Sequence, residues 1–102
     1  MASSLPKPDG PDRASDESLL AEARVGRPDE YHVLVSRYQR FVREQASACA
    51  LRGGTPDEWI QEGFIGLYKA IRDFLPDRDT DFRSFAELCI TRQLISAGGF
   101  VA

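Results

Sequence analysis

The sequence predicts an all-α fold: a compact helical bundle of three principal helices preceded by a short N-terminal one. Three observations predict it. Apolar residues recur at helical spacing in four successive segments of this 102-residue chain. Each segment opens on a capping residue or a first-turn proline, and closes on glycine or just before proline. No stretch alternates apolar and polar residues long enough to make a useful strand, and no internal repeat appears.

The elements follow in order. "MASSLPKPDGPDRA", residues 1–14, is rich in Pro, Ser, Gly and Asp with almost nothing to bury, and reads as a disordered tail. Ser15 or Asp16 caps a short helix, "DESLLAEARV", whose narrow apolar face is Leu19, Leu20 and Ala23 and which Gly26 ends. Pro28 opens the next helix, with Asp29 and Glu30 at its positive end. Tyr31, Leu34, Val35, Tyr38, Phe41, Val42, Ala46 and Cys49 then keep helical spacing, so one continuous helix is expected, with Arg37, Arg40, Arg43 and Glu44 on its wet side. Gly53 and Gly54 stop it.

A third helix begins at Thr55. Thr55 is the N-cap, Pro56 the first helical residue and Glu58 the return partner of a capping box, a cap worth about 1 kcal/mol. It ends at "FLPD", because Leu75 precedes Pro76 and is pushed out of the α region. After the polar loop "DRDTD", Thr80 or Asp81 caps a last helix, "FRSFAELCITRQLISA", with Phe82, Phe85, Ala86, Cys89, Ile90 and Leu94 on one side and Gly98 and Gly99 at its end. The expected organisation is one helical domain over 15–97 with a short tail, 98–102. Tyr31, Leu34, Tyr38, Phe41, Ile60, Leu67, Ile71 and Phe82 are expected in its core.

Composition narrows the function. Charged residues make up 28% of the chain and the net charge is −3, without the basic excess usual in nucleic-acid binders, although one face can be basic while the whole is acidic. Cys49 and Cys89 lack metal-ligand spacing and the chain has one histidine, so both read as buried free thiols of a reducing cytoplasm. No apolar run approaches the roughly 20 residues of a membrane span, and the N-terminus lacks the basic-then-apolar pattern of a secretory signal. An enzyme is not expected: His32 stands alone, no nucleophile–base pair is apparent, and "GG" at Gly53 is a helix stop rather than a phosphate loop. No metal or other cofactor is expected. A helix-turn-helix reading of "RGGTPDEWIQEG" fails because the following helix is too apolar, and too acidic at its start, for a major groove.

The helix from Thr55 to Phe74 is apolar almost all round. One face, Trp59, Ile60, Gly63, Leu67, Ala70, Ile71 and Phe74, is assigned to the core, its small residues allowing close helix approach. Another carries Gln61, Phe64, Ile65 and Tyr68, with Glu58 and Glu62 beside it. Periodicity leaves two readings open: the protein covers this face itself, or a partner does.

"DEWIQEGFIGLYKAIRDF" followed by "FRSFAELCITRQLI" closely resembles region 2 of the sigma-70 family of bacterial transcription initiation factors, and most of all the sporulation sigma-H group. The resemblance runs from about Asp16 to Ala97. It implies that Gln61, Glu62, Phe64, Ile65 and Tyr68 dock on the clamp helices of the largest catalytic subunit of core RNA polymerase. It also implies that the helix after the loop melts and reads the minus-ten promoter element. There a non-template base would be captured by Phe74, Arg78 and Phe85, with Arg83 and Arg92 nearby. The chemistry suits such a role, since a flipped base needs a stacking ring, worth about 1–3 kcal/mol, and a cation for its phosphate. Without the resemblance, Phe74 and Phe85 read as ordinary core residues and Arg78 as a solvated charge. An anti-sigma factor is a further partner that the resemblance allows.

The sequence also departs from the family. Primary sigma factors carry adjacent tryptophans where Leu88 and Cys89 stand, so aromatic wedging is expected to be weak. Asp73, Asp77, Asp79 and Asp81 offset the basic residues, so little phosphate-driven affinity is expected of the isolated domain. Relatives lengthen the recognition helix where this sequence turns to "GGFVA". The expectation is a module that binds core polymerase better than it directs initiation. The competing reading is an adaptor or competitor that binds core polymerase without reading promoter DNA.

Overall fold

A computed structural model describes residues 14–76 and 79–98. Among the described residues the chain forms five α-helices and no strand: α1 (Asp16–Arg24), α2 (Pro28–Ser36), α3 (Gln39–Ala50), α4 (Pro56–Asp73) and α5 (Phe82–Gly98). The all-α class is as the sequence predicts. The expected N-terminal tail apart from Ala14, the C-terminal tail apart from Gly98, and Asp77 and Arg78 lie outside the described residues. The chain divides after Arg37 into two compact units.

The first unit pairs α1 with α2. Ser15 is the cap of α1: its hydroxyl accepts the Ser18 amide at 3.0 Å, while Asp16 and Glu17 lie at the positive end. That leaves the Asp16 carboxylate available to Arg37, which donates to it at 2.9 Å across the unit. Gly26, at φ +88°, takes the left-handed conformation that releases the chain from α1. Leu19, Leu20 and Leu34 are buried.

The long helix expected from Pro28 to Cys49 is two helices. The Arg37 amide reaches both the Val33 and Leu34 carbonyls at 3.2 Å, a tightened last turn, and Tyr38 follows at φ −107°, ψ 0°. The α ladder resumes only where the Val42 amide meets the Tyr38 carbonyl at 2.9 Å. Apolar spacing carries straight across this joint because Tyr38 is itself fully buried. No glycine or proline marks it.

In the second unit α4 packs against both α3 and α5. Two glycines make this possible. A Cβ on Gly63 would stand 2.7 Å from the Val42 side chain on α3, and one on Gly66 would stand 2.7 Å from the Ile90 Cα on α5. α4 starts from the predicted capping box, Glu58 amide to Thr55 hydroxyl at 3.2 Å and Thr55 amide to Glu58 carboxylate at 3.0 Å. Before it, Gly53 and Gly54 take positive φ, and the Trp59 indole donates to the Gly53 carbonyl at 2.7 Å, fixing the turn. Asp81 caps α5, accepting the Ser84 amide at 2.8 Å.

Three rings organise the interior. Tyr38 and Phe74 each meet Phe82 edge to face, with centroids 5.8 and 5.4 Å away. Such pairs add about 0.5–1.5 kcal/mol each beyond their area. Of the predicted core, Leu34, Tyr38, Leu67, Ile71 and Phe82 are buried, whereas Tyr31, Phe41 and Ile60 are half-buried. On α3 the buried row is Val42 and Ala46, one turn apart, which leaves Phe41 at its flank.

Candidate functional site

The outer side of α4 carries the predicted docking strip. Gln61, Ile65 and Tyr68 are exposed at i, i+4 and i+7, Ile65 by 42% and Tyr68 by 55%, so one helix face presents them together. Phe64 and Glu62 are half-buried beside them. Ile65 and Tyr68 are thus uncovered by the chain's own described residues. An amphipathic strip with an exposed phenol and an aliphatic neighbour is the surface chemistry of a protein-binding helix. A hollow of about 560 Å³ adjoins its N-terminal end, lined by Arg52, Trp59, Gln61, Glu62 and Ala97 among others.

Glu62 also turns toward α5. Its carboxylate accepts the Gln93 side-chain amide at 2.9 Å, and the Gln93 carbonyl oxygen accepts Lys69 Nζ at 2.7 Å. The sequence reading assigned neither Lys69 nor Gln93 a part. Their signal was there only in three dimensions, because Glu62 and Gln93 are separated by 31 positions.

At the other end of α4, Phe74 and Phe85 come together, with ring centroids 5.5 Å apart and planes at 54°. With Asp73, Leu75 and Thr80 they line a cavity of about 260 Å³, a little below the 300–1,000 Å³ typical of drug-sized ligand pockets. Phe74 is only 3% exposed and braces Phe82, so it serves the core as well as the wall of this cavity. Phe85 is half-buried. Arg78, the expected cation of the pair, lies outside the described residues.

The remaining cations are arranged differently. Arg83 lies 4.8 Å over the Tyr38 ring and 3.5 Å from the Glu87 carboxylate. Arg92 is exposed on α5, between Leu88, 46% exposed, and Ile95, 40% exposed, at spacings of four and three. This Leu88–Arg92–Ile95 stripe was legible as an excess of apolar residues on α5, since Phe82, Ala86, Ile90 and Leu94 already form the buried row. Arg72 holds Asp73 through two bonds, 2.7 and 2.9 Å, which offsets the charge of a carboxylate that borders this cavity. Burial pushes the thiols of Cys49 and Cys89 above the ordinary cysteine range, although nearby Arg52 and Arg92 oppose it. Both are free and half-buried.

Comparison with known proteins identifies the family. Residues 34–97 match the family model described as Sigma-70 region 2. Over 82 residues the chain is 48% identical to the RNA polymerase sigma-H factor of Bacillus subtilis (strain 168), an alignment covering 80% of this chain and 38% of that protein. The RNA polymerase sigma-H factor of Bacillus licheniformis is also 48% identical over 82 residues, with 37% of its length covered. The chain therefore spans less than two-fifths of the curated relatives it matches. No solved structure matches it.

Proposed function

The chain belongs to the sigma-70 family, through its region 2, and from that premise we propose that it is a non-enzymatic transcription-initiation module that binds core RNA polymerase and engages the minus-ten promoter strand. The exposed strip on α4 carries the reading. Gln61, Glu62, Phe64, Ile65 and Tyr68 would meet the clamp helices of the largest subunit, Tyr68 and Ile65 supplying apolar area and Gln61 and Glu62 polar partners. The cavity between Phe74 and Phe85 supports capture of one unpaired non-template base, stacked on Phe85. Arg92 on its exposed stripe, together with Arg83 and Arg78, would serve the strand's phosphates.

The test is capture of core RNA polymerase by the tagged chain. The parent is expected to retain it. Tyr68→Ala is expected to weaken capture with a melting temperature close to the parent's, because an exposed substitution usually shifts stability by only about 0.5 kcal/mol, whereas Glu62→Lys, which also breaks the half-buried bond to Gln93, is expected to weaken capture and to lower the melting temperature as well. Undiminished capture by two folded variants places the docking surface elsewhere.

One observation favours a second reading, an adaptor or competitor that occupies the clamp site without reading DNA. The guanidinium groups of Arg72 and Arg83 both lie against carboxylates, Asp73 and Glu87, which offsets part of the positive charge on the promoter side. Capture of core polymerase without any affinity for a labelled promoter strand selects that reading.

A further inference from the structure

We propose that the exposed strip of α4 is also a seam for a second copy of this chain: two copies pair antiparallel along it, Ile65 of each against Tyr68 of the other. The inference stands on the exposure and order of residues on α4 rather than on the polymerase reading. It gives the same surface a second occupant.

The strip extends beyond its apolar centre. Glu58, Gln61, Ile65, Tyr68 and Arg72 are all exposed, and they follow one another at steps of three, four, three and four. That is the 3.5-residue repeat that keeps one helix facing another along a seam. From Glu58 to Arg72 the seam runs about 21 Å. Its apolar pair sits in the middle, with polar residues on both sides.

Charge sets the direction of pairing. Glu58 and Glu62 lie toward the start of α4, and Lys69 and Arg72 toward its end. Parallel copies would set like charges together at both ends. Antiparallel copies, related by a two-fold axis between Ile65 and Tyr68, bring Glu58 and Glu62 of each beside Arg72 and Lys69 of the other. Opposite charges flanking an apolar seam fix its orientation. The two-fold axis makes one patch complementary to itself, and it also sets the two helix dipoles head to tail.

These charges are already held in place. Glu58 accepts the Thr55 amide at 3.0 Å, Arg72 clasps Asp73 at 2.7 and 2.9 Å, and Lys69 donates to Gln93 at 2.7 Å. Side chains so held lose little freedom when a second copy arrives. Asp73 offsets part of the Arg72 charge, and Lys69 carries the other positive charge. The exposed apolar stripe of α5 lacks this complementarity. There Leu88 and Ile95 flank Arg92, so self-pairing centred on the stripe would set Arg92 against Arg92.

A single seam of this length buries less than the roughly 1,200 Å² at which stable interfaces begin. The dimer is therefore weak and depends on concentration. It hides the surface assigned above to polymerase, so under that reading a second copy and the clamp helices exclude each other.

Sedimentation velocity of the full chain, loaded from about 10 µM to about 1 mM, is the test. It contains no polymerase, so its failure leaves the proposed function standing. The parent is expected to pass from monomer toward dimer across this range. Ile65→Arg, which sets two like charges at the centre of the seam, is expected to stay monomeric, with a melting temperature near the parent's at the lowest concentration. Leu88→Arg, on the other stripe, is expected to dimerise as the parent does. Raising salt from about 0.05 M to about 0.5 M is expected to weaken the parent's association several-fold, because screening removes the attraction between opposite charges. A parent that stays monomeric at about 1 mM overturns the inference, as does a dimer that Ile65→Arg leaves intact. Association strengthened by salt means that like charges meet, which overturns the antiparallel pairing and the inference with it.

Discussion

Gly66 lies against the backbone of Ile90: a methyl group added to it would stand 2.7 Å from the Ile90 Cα and 2.8 Å from the Cys89 carbonyl oxygen. Neither neighbour is the end of a flexible side chain. Helix propensity favours alanine over glycine by about 1 kcal/mol, yet overpacking against a fixed backbone costs about 1–3 kcal/mol. Gly66→Ala is therefore expected to lower the denaturant midpoint. Gly63→Ala meets only the Val42 side chain and is expected to lose less. Equal or reversed losses in urea unfolding would show that α4 and α5 can separate cheaply.

The two rings of the small cavity are expected to behave differently. Phe74 is buried against Phe82, so Phe74→Ala is expected to cost about 3–5 kcal/mol of stability. Phe85→Ala, half-buried at the cavity wall, is expected to cost less and to show its main effect on strand affinity, about 1–3 kcal/mol for a lost stacking partner. Calorimetry of both variants and strand titration of the folded one measure the difference. Equal stability losses would make Phe85 a core residue only.

In the first unit, Arg37→Met is expected to destabilise by about 1.5–3 kcal/mol, the usual worth of a hydrogen bond to a charged group, since Asp16 loses a partner at 2.9 Å in a partly buried setting. Methionine keeps most of the apolar stem, so lost packing contributes little. Amide exchange within α1 and α2 is the direct measure. Unchanged protection there would mean that the ion pair is dispensable.

Acid should loosen α5 from its start. The Ser84 amide bonded to Asp81 holds the carboxyl below its ordinary value of 3.8. A depressed folded-state value means that the cap stabilises fully above that ordinary value and that the contribution is lost as pH falls through the lower, folded one. Asp81→Asn keeps a good capping group and removes the titration. The parent is expected to lose more stability than this variant as pH is lowered from about 6 through the carboxylate range. Parallel pH profiles in thermal melts would remove Asp81 from the account.

Much of this protein was legible before any coordinates. Local chemistry sets the helix starts: the Ser15 cap, the Thr55–Glu58 box and the first-turn prolines act through atoms a few residues apart, so the chain order contains them. The order of residues from Asp57 to Ile95 likewise carried the family, and with it the expected docking and strand residues. The joint at Arg37–Tyr38 was not legible, since nothing local forbids a continuous helix there. Tyr38, at φ −107° and ψ 0°, interrupts the helix while staying wholly buried, so the apolar rhythm runs on unbroken.

Tertiary structure decided the rest, because it depends on which distant backbones meet. Sequence counted small residues on α4 but could not tell that Gly63 faces α3 and Gly66 faces α5. It named Phe74 and Phe85 together but could not divide their roles, since burial of one ring depends on Phe82 from another helix. By itself it determined that α4 has more apolar surface than one core requires. Only the folded chain showed that Ile65 and Tyr68 stay exposed while Glu62 is held from α5. The physical reason is the same throughout: capping and periodicity act within a turn or two, whereas burial and side-chain pairing are fixed by packing between segments far apart in the chain.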